Sequence, residues 1–193
     1  MANDARKVRV GAGKVGGYLF SAALGTALPT DAREPLDDGF RGLGYVSNDG
    51  ITRTVEVSTE DIQDMNLDIV RTINTDVSVQ ISSALLEVNA DLLVELYGED
   101  NVTVTPASSS AGEQIAVKFT AEQLPRKSYV IELVDGDDLG RFVIPEGQVI
   151  TPGGGELVFA KNQAIQHTLT VRAYRDASGD YFHHYTDDGQ FGS

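Results

Sequence analysis

Apolar and polar residues alternate in two neighbouring stretches of the chain, residues 54–58 and 76–82. Successive side chains of a strand point to opposite faces, so each stretch predicts a strand with one apolar and one polar face. We expect residues 52–82 to form one long antiparallel hairpin. Its connection, residues 59–73, carries several aspartates, and connections of this length are commonly functional or mobile. We therefore expect an acidic, mobile tip.

The same alternation returns in the second half of the chain and predicts the remaining strands between residues 115 and 175. The segments are 115–119, 129–134, 141–144, 157–159 and 167–174. Residues that favour turns separate several of these segments. The turn signals are Asp135-Gly136-Asp137-Asp138, Pro145-Glu146-Gly147 and Gly153-Gly154-Gly155. With a polar tail over residues 181–193, the pattern predicts a mainly β protein.

One short helix interrupts the strands, within residues 89–98. Asn89 is a good N-cap because its side chain can accept a backbone N–H of the first turn. Apolar residues at 92, 93, 96 and 97 form a stripe at helical spacing, and Gly98 supplies a stop signal. A helix this short depends on packing for its stability, so we expect residues 90–97 to lie against a sheet.

Residues 1–43 differ from the rest because they are rich in glycine, with prolines at 29 and 35, and they predict an extended arm. An apolar cluster, Tyr18-Leu19-Phe20, lies inside this segment. An extended arm alone buries too little surface to offset its ordering entropy. We therefore expect the arm to lie on another surface.

Composition narrows the class of protein. The chain has 193 residues, which suits one domain with an arm. Its formal net charge of −14 argues against a protein that grips nucleic-acid phosphates, because such proteins concentrate lysine and arginine. The absence of cysteine excludes disulfides and cysteine-based metal sites. No apolar run reaches the ~20 residues that cross a bilayer, and no secretory signal follows Met1, so we expect a cytoplasmic protein at synthesis, away from membranes.

The sequence offers no catalytic set, so we do not expect an enzyme. His183 and His184 are adjacent, and adjacent residues of a strand point to opposite faces, which makes them a poor metal pair. The turn at 135–138 lacks the spacing of a calcium-binding EF-hand loop. Residues 11–17 contain the spacing GxGxxG, but no clear strand precedes them and no helix pattern follows. We therefore expect no cofactor and no bound metal.

The polar face of the predicted hairpin carries the distribution of charge that bears on function. For a single chain, the simpler interpretation is an ordinary solvent-facing sheet surface. In a ring of copies, the same face would become a polar, acidic wall around a channel. Such a wall repels DNA phosphates, so a duplex can slide through without sticking.

Several sequence blocks point to a family when they are taken together in order and spacing. They are Ala27-Leu28-Pro29-Thr30-Asp31-Ala32, Leu43-Gly44-Tyr45-Val46-Ser47-Asn48-Asp49-Gly50-Ile51, Thr59-Glu60-Asp61-Ile62, Leu85-Leu86-Glu87-Val88-Asn89 with Leu96-Tyr97-Gly98, Asp135-Gly136-Asp137 with Pro145-Glu146-Gly147, and Leu169-Thr170-Val171. Over residues 8–185 the chain resembles the major tail tube proteins of long-tailed, siphovirus-type actinobacterial phages. It departs from that family in having no tryptophan after the block at 59–62.

The resemblance implies a β-sandwich or barrel of two packed antiparallel sheets, with one short flanking helix and the extended arm. It implies a structural virion protein whose hexameric rings stack into the phage tail tube, where an acidic lumen conducts genomic DNA during ejection. The implied partners are other copies of the chain, the tape-measure protein, the tail terminator, and baseplate or initiator proteins. Assembly would take place in the host cytoplasm, and double-stranded DNA would pass through only transiently.

Within that expectation we assign three sets of residues, as hypotheses. The lumen candidates, chosen by alternation, are Glu56, Asp76, Ser78, Gln80, Glu132 and Thr170. Residues 59–70 are assigned to ring stacking, through Asp61, Asp64, Met65 and Asp68. The arm, residues 11–43, is expected to bridge rings, with Tyr18, Leu19 and Phe20 as its anchors.

Two other classes of protein stay open. The inner tube of a contractile, secretion-type machine would share nearly the same fold. A virion decoration protein or a carbohydrate-binding β-module would form monomers or trimers and expose aromatic clusters on one strand face. The chain has no tryptophan, the usual sugar-stacking residue, so the last class is the least favoured.

Overall fold

The computed structural model describes residues 8–13 and 17–190. Residues 14–16, in the GxGxxG segment, and residues 191–193, at the end of the predicted tail, lie outside the described residues. The described chain is mainly β. Its strands are β1 Ala12–Gly13, β2 Leu19–Ala23, β3 Arg41–Gly42, β4 Val46–Gln63, β5 Ile69–Leu85, β6 Val102–Thr105, β7 Gln114–Val117, β8 Arg126–Asp135, β9 Asp138–Val149, β10 His167–Ala173 and β11 His183–Asp187. The α-helix, α1, is Ala90–Tyr97, and 3-10 turns lie at Glu99–Asn101 and Pro152–Gly154.

One large antiparallel sheet contains nine of these strands, and β6 and β7 form a small second sheet. The main path of the large sheet runs β3-β2-β8-β9-β10-β5-β4, with β1 beside β8 and β11 beside β9. The segment between β3 and β4 connects the two sides of this path. Its Leu43 N–H donates to the carbonyl of Leu19 at 2.9 Å, and its Tyr45 carbonyl accepts from Leu86 N–H at 2.8 Å. The large sheet therefore curls into a barrel around its core.

The core fills the barrel, and α1 closes one end of it. Leu92 and Leu96 on the helix are fully buried against side chains from the strands. The strand residues of this core are Leu19, Val79, Ile81, Leu85, Tyr129, Ile131, Ile144, Val149, Leu169, Val171 and Ala173. The helix begins and ends where the sequence predicts: Asn89 Oδ1 accepts from Leu92 N–H at 2.8 Å, and Gly98 has a positive φ of 89°.

A buried carboxylate fixes the helix to the barrel, and sequence analysis did not identify it. Glu95 is 4% exposed. Its oxygens accept from Ser21 Oγ at 3.0 Å, from Lys127 Nζ at 2.6 Å and from the Tyr129 hydroxyl. Burial, with the nearby Glu95 charge, raises the pKa of Tyr129 well above its usual value, so this hydroxyl stays a donor.

The long hairpin is confirmed, but the expected long loop at its end is wrong. β4 has 18 residues and β5 has 17, and their pairing continues to Gln63 and Ile69. Cross-strand pairs run through the segment expected to be irregular, with register shifts near Ser58 and Ile62. The polar residues there satisfy a ladder of backbone hydrogen bonds just as apolar residues do, because the ladder involves only the main chain.

Two further sequence predictions, a turn and a strand, are wrong. Pro145-Glu146-Gly147 lies inside β9 and is not a turn, whereas residues 157–159 form no strand. A bulge in β9, where Pro145 and Glu146 lie opposite the single residue Ser128 of β8, accommodates the proline, and Ser128 Oγ donates to the Pro145 carbonyl at 2.7 Å. A larger residue would not fit at Gly147, because side-chain atoms of Tyr129 and Val171 lie 2.7–2.8 Å from where its Cβ would stand. These residues therefore mark close packing within a strand.

The turn between β8 and β9 and the last strong strand are confirmed. Asp135 pairs with Asp138 across a two-residue connection, and Gly136 has a positive φ of 63°. In β10 the alternate residues Leu169, Val171 and Ala173 are buried.

The N-terminal segment is not a free arm. β2 lies within the large sheet beside β8, and Leu19 is 1% exposed. Residues 31–34 lie against the outside of β8 and β9, where Arg141 Nη1 donates to the carbonyls of Asp31 at 2.7 Å and Glu34 at 2.8 Å. Arg33 also pairs with Asp187 on β11. Much of the segment expected to cross to another ring is therefore packed on its own barrel.

We predict that Glu95→Ala lowers the free energy of unfolding by about 3–5 kcal/mol, because it leaves buried donors and the Lys127 charge without their acceptor. Urea denaturation of the purified subunit measures this. Arg41→Ala is the control, because the Arg41–Asp91 pair is exposed and such pairs contribute about 0–1 kcal/mol. Equal losses in both variants would contradict the assigned role of Glu95.

We also predict that stability falls as the pH drops below about 6.5, the usual value for histidine. His167 is 4% exposed, burial lowers its pKa, and its Nδ1 has no hydrogen-bond partner among the described residues. The unfolded chain then binds the proton more readily than the native chain, so acid favours unfolding. Urea unfolding between pH 7.5 and 5.5 should give a flatter pH dependence for His167→Leu. If the free energy of unfolding of His167→Leu depended on pH as steeply as that of the wild type, the role assigned to His167 would be wrong.

Candidate assembly surfaces and lumen face

The distal half of the β4–β5 hairpin projects beyond the barrel. β10 pairs with β5 only from Val79 to Leu85, so beyond Val55 and Val79 the two strands of the hairpin pair only with each other. This part of β4 extends roughly 25 Å past Val55. Within the described chain, the outer edges of both strands there are unpaired. Such edges are templates for pairing with another chain.

Strand register brings five of the six lumen candidates onto one face of the sheet. Glu56 lies opposite Ser78, and Asp76 lies opposite Ser58 on the same face. Hydrogen bonds join the neutral members: Gln80 Nε2 donates to Ser78 Oγ at 3.1 Å, and the Thr170 and Ser82 hydroxyls are 3.2 Å apart. The predicted polar face of β4, β5 and β10 is therefore a real, continuous surface.

Arg172 belongs to this surface and was not among the candidates. It lies between Gln80 on β5 and Gln148 on β9, and its side chain is exposed. Its place follows from the alternation that puts Thr170 on the same face, so the sequence held the signal. The surface thus combines the carboxylates of Glu56 and Asp76 with one guanidinium.

Glu132 is corrected, because it does not face solvent. It is 7% exposed and forms an ion pair with Arg141, which is 2% exposed. The same guanidinium bonds the carbonyls of Asp31 and Glu34 in the segment that lies over this part of the sheet. Alternation placed Glu132 on the outer face of the barrel, but the N-terminal segment covers that face at β8 and β9.

Leu19, one of the three arm anchors, is corrected as well. Leu19 is buried in the core of its own chain and cannot also contact a neighbour. Tyr18 and Phe20 are half-buried. The Tyr18 ring lies close to Gly13, and the Phe20 ring lies between Gly17 and Gly42. These side chains attach the N-terminal segment to its own barrel.

The tip of the hairpin is a compact turn over residues 64–68. Asp64 Oδ1 accepts from the N–H groups of Asn66 at 2.8 Å and Asp68 at 3.0 Å. Leu67 adopts a positive φ of 67°, which is unusual for a bulky residue. Asp61 accepts from Thr72 Oγ1 at 2.6 Å. All four stacking candidates are exposed, and of these Asp61 and Asp64 also stabilise the hairpin itself.

The tip also presents apolar side chains to solvent. Met65 is 101% exposed, Leu67 is 75%, Ile69 is 59% and Val70 is 61%. Exposed apolar side chains grouped at a protruding tip are typical of an interaction site.

A cavity of about 430 Å³ opens at the end of the barrel from which the hairpin projects. Its lining includes Val79, Ile81, Phe142 and Ile144, and the guanidinium of Arg53 lies 5.5 Å from the Phe142 ring centre. The cavity wall continues outward along the apolar face of the hairpin, where Val55 and Val57 are 46% and 50% exposed. The apolar face predicted for the hairpin is therefore buried only at its base.

The histidines take ordinary structural places. His184 stacks on the Phe142 ring with centroids 3.9 Å apart. His183, Asp176 and Asp180 bring one potential ligand atom each within 4.8 Å of one another. Asp176 Oδ1, however, accepts the N–H groups of Asp180 at 2.9 Å and Ser178 at 2.8 Å, and these bonds lower the pKa of Asp176. Asp176 thus caps the turn formed by residues 176–180.

A family model described as phage tail tube protein matches residues 1–191, which is nearly the entire chain. The chain belongs to the phage tail tube protein family. This match confirms the resemblance at the level of the family, and the mainly β fold agrees with it. Among curated proteins, none matches the chain.

As a tail tube protein, the chain is a structural component of the virion tail and assembles with copies of itself and with other tail proteins. No helix of residues 8–13 and 17–190 is long and apolar enough to cross a membrane. The candidate assembly surfaces are therefore the open hairpin edges, the tip, the cavity mouth and the bare polar face.

Proposed function

We propose that six copies of this tail tube protein form a ring, that rings stack into a tube, and that the polar face of β4, β5 and β10 lines the bore. The observation that carries this proposal is the hairpin, whose outer edges are unpaired beyond Val55 and Val79. A monomer that exposed edges of this length would be prone to aggregate. Assembly that pairs them removes that liability.

Ring closure depends on the two free edges of the hairpin being different from each other. The free edge of β4 in one copy pairs with the free distal edge of β5 in the next, which is a head-to-tail contact. Head-to-tail contacts generate closed rings when the rotation between copies closes. A continuous barrel of hairpins around the channel is the result, and closure leaves no edge.

The polar face is assigned to the bore because it is the bare side of the barrel. Across the barrel, residues 31–34 cover β8 and β9 through Arg141. The charges on the bare side include the carboxylates Glu56 and Asp76 and the Arg172 guanidinium, set among neutral serine, threonine and glutamine residues. A net negative wall repels the phosphates of DNA and so favours its passage over tight binding.

The remaining surfaces are assigned to contacts between rings and with other tail components. The distal part of the hairpin, residues 59–70, which contains the tip, projects along the tube toward the next ring. The ends of the tube meet baseplate or initiator proteins at one end and the tail terminator at the other. The bore holds the tape-measure protein before DNA passes. Assembly takes place in the host cytoplasm.

The lumen assignment is testable with single cysteines, because the chain has none of its own. We expect Ser78→Cys to react with a bulky maleimide in the free subunit and to be protected from it in assembled tubes, while a small maleimide still reaches it. Asp38→Cys, on the segment that covers the opposite side of the barrel, is the control and should react with both reagents in both states. Electrophoretic mobility shifts measure this. Full reaction of the cysteine at 78 with the bulky reagent in tubes would exclude the bore assignment.

The charge of the face is tested separately. We expect Glu56→Gln with Asp76→Asn to leave tubes intact and to slow DNA ejection severalfold, because phosphates meet less repulsion and linger at the wall. Arg172→Gln is the matched control, and it should leave ejection as fast or faster because it removes a cation. Triggered ejection from particles, followed by dye fluorescence, gives the rates. An unchanged rate in the double variant would refute the role of the carboxylates.

A further inference from the structure

Arg172 is a cation on the polar face that its own chain does not hold. It is exposed, and no ion pair, hydrogen bond or ring contact involves its side chain among the described residues. Its cross-strand neighbours, Gln80 on β5 and Gln148 on β9, carry no charge. Thr170, the next residue of β10 on this face, lies against the Ser82 hydroxyl. The guanidinium therefore keeps its donors for a ligand.

A second arginine in the same row across the sheet shows the opposite arrangement. Arg126 lies opposite Gln148 from the β8 side. Its guanidinium forms an ion pair with Glu146 at 2.5 Å and lies 3.8 Å from the centre of the Tyr174 ring. The charge of Arg126 is therefore neutralised within the chain, whereas the charge of Arg172 is not.

The carboxylates assigned to this face lie too far from Arg172 to cancel its charge. By strand register, Glu56 is two strands and two residues away, and Asp76 is one strand and four residues away. With ordinary strand spacings these Cα separations are about 12 Å and about 14 Å. Both exceed the Debye length of about 8 Å at physiological ionic strength, so these exposed charges are largely screened from one another. The nearer Glu146 is already paired with Arg126. Close to Arg172 the surface therefore attracts anions, although the chain as a whole is acidic.

A ring of copies would turn this single cation into a belt. Symmetry places equivalent residues at one level of the bore, so six copies bring six Arg172 side chains together. A DNA duplex carries one negative charge per about 1.7 Å of its axis, so phosphates stand beside the belt at every position of the passing DNA. Guanidinium groups form charge-assisted, often bidentate hydrogen bonds with phosphate. The belt therefore fits the DNA backbone, independently of base sequence.

We propose that Arg172 contacts the phosphates of DNA in the bore and retards its passage. Each ring then combines repulsion by the carboxylates with one belt of weak attraction. The proposal rests on the proposed function, which places this face in the bore, and it adds a DNA-contacting residue to that face.

Ejection followed on single particles tests the contact, because it separates the lag before DNA appears from the rate at which DNA then flows. We expect Arg172→Gln to raise the flow rate at least twofold at about 50 mM salt and to match the wild type at about 500 mM, where screening removes the contact. Arg172→Lys keeps the charge and should lie closer to the wild type than Arg172→Gln does. Arg41→Gln, the matched control, removes the same charge from an exposed pair with Asp91 and should leave the rate unchanged at both salt concentrations.

Three results would overturn the proposal. The first is an equal flow rate for Arg172→Gln and the wild type at low salt. The second is a difference that persists at high salt, which would indicate an effect of side-chain shape and not of charge. The third is a shorter lag with an unchanged flow rate, because the tape-measure protein leaves the bore before the DNA and would then be the partner.

A failure of the proposed function gives a different result. If the cysteine of Ser78→Cys reacted fully with the bulky maleimide in tubes, this face would not line the bore, and the phosphate contact would fall with that assignment. If that cysteine were protected and the flow rates were still equal, only the phosphate contact of Arg172 would fall.

Discussion

The pairing of β4 with β5 beyond the limit of the barrel is the constraint on which the rest of the molecule depends. Main-chain N–H and C=O groups need partners when they leave water. In the projecting hairpin, each strand satisfies the other on one edge and leaves its second edge open past Val55 and Val79. The apolar face of the same hairpin is also half-exposed. A hairpin built this way is incomplete in a single copy, which is the property a tube subunit needs.

The two sides of the barrel differ in whether another segment of the chain covers them. On the β8–β9 side, Arg141 is nearly fully buried and binds Glu132 and the carbonyls of Asp31 and Glu34. A buried guanidinium is costly without such acceptors, so these bonds specify where the N-terminal segment lies. On the β4–β5–β10 side no segment covers the sheet within the described chain. The polar surface stays bare because the N-terminal segment is held on the opposite side of the barrel.

The two ends of the molecule give the assembly its direction. At one end a tight turn held by Asp64 presents Met65 and Leu67. At the other, the helix is fixed to the barrel through Glu95 and carries the small sheet with its open apolar face. Because these ends differ in chemistry, like ends gain little from meeting. Rigid attachment of both ends to one barrel lets a contact at one end set the position of the other.

Local chemistry allowed the sequence by itself to determine the long hairpin, most of the later strands, the helix and the family. Alternation, the Asn89 cap, the Gly98 stop and the turn at 135–138 each depend on a few neighbouring residues, and ordered blocks identified the tail tube family. Only the tertiary structure decided what covers each face. Alternation puts Glu132 and Thr170 on the same outer surface, yet one is buried under the N-terminal segment and the other is not. Pro145 and Gly147 resemble a turn until the bulge and the packed side chains beside them are seen. Burial depends on contacts between residues far apart in the chain, and no local pattern encodes these.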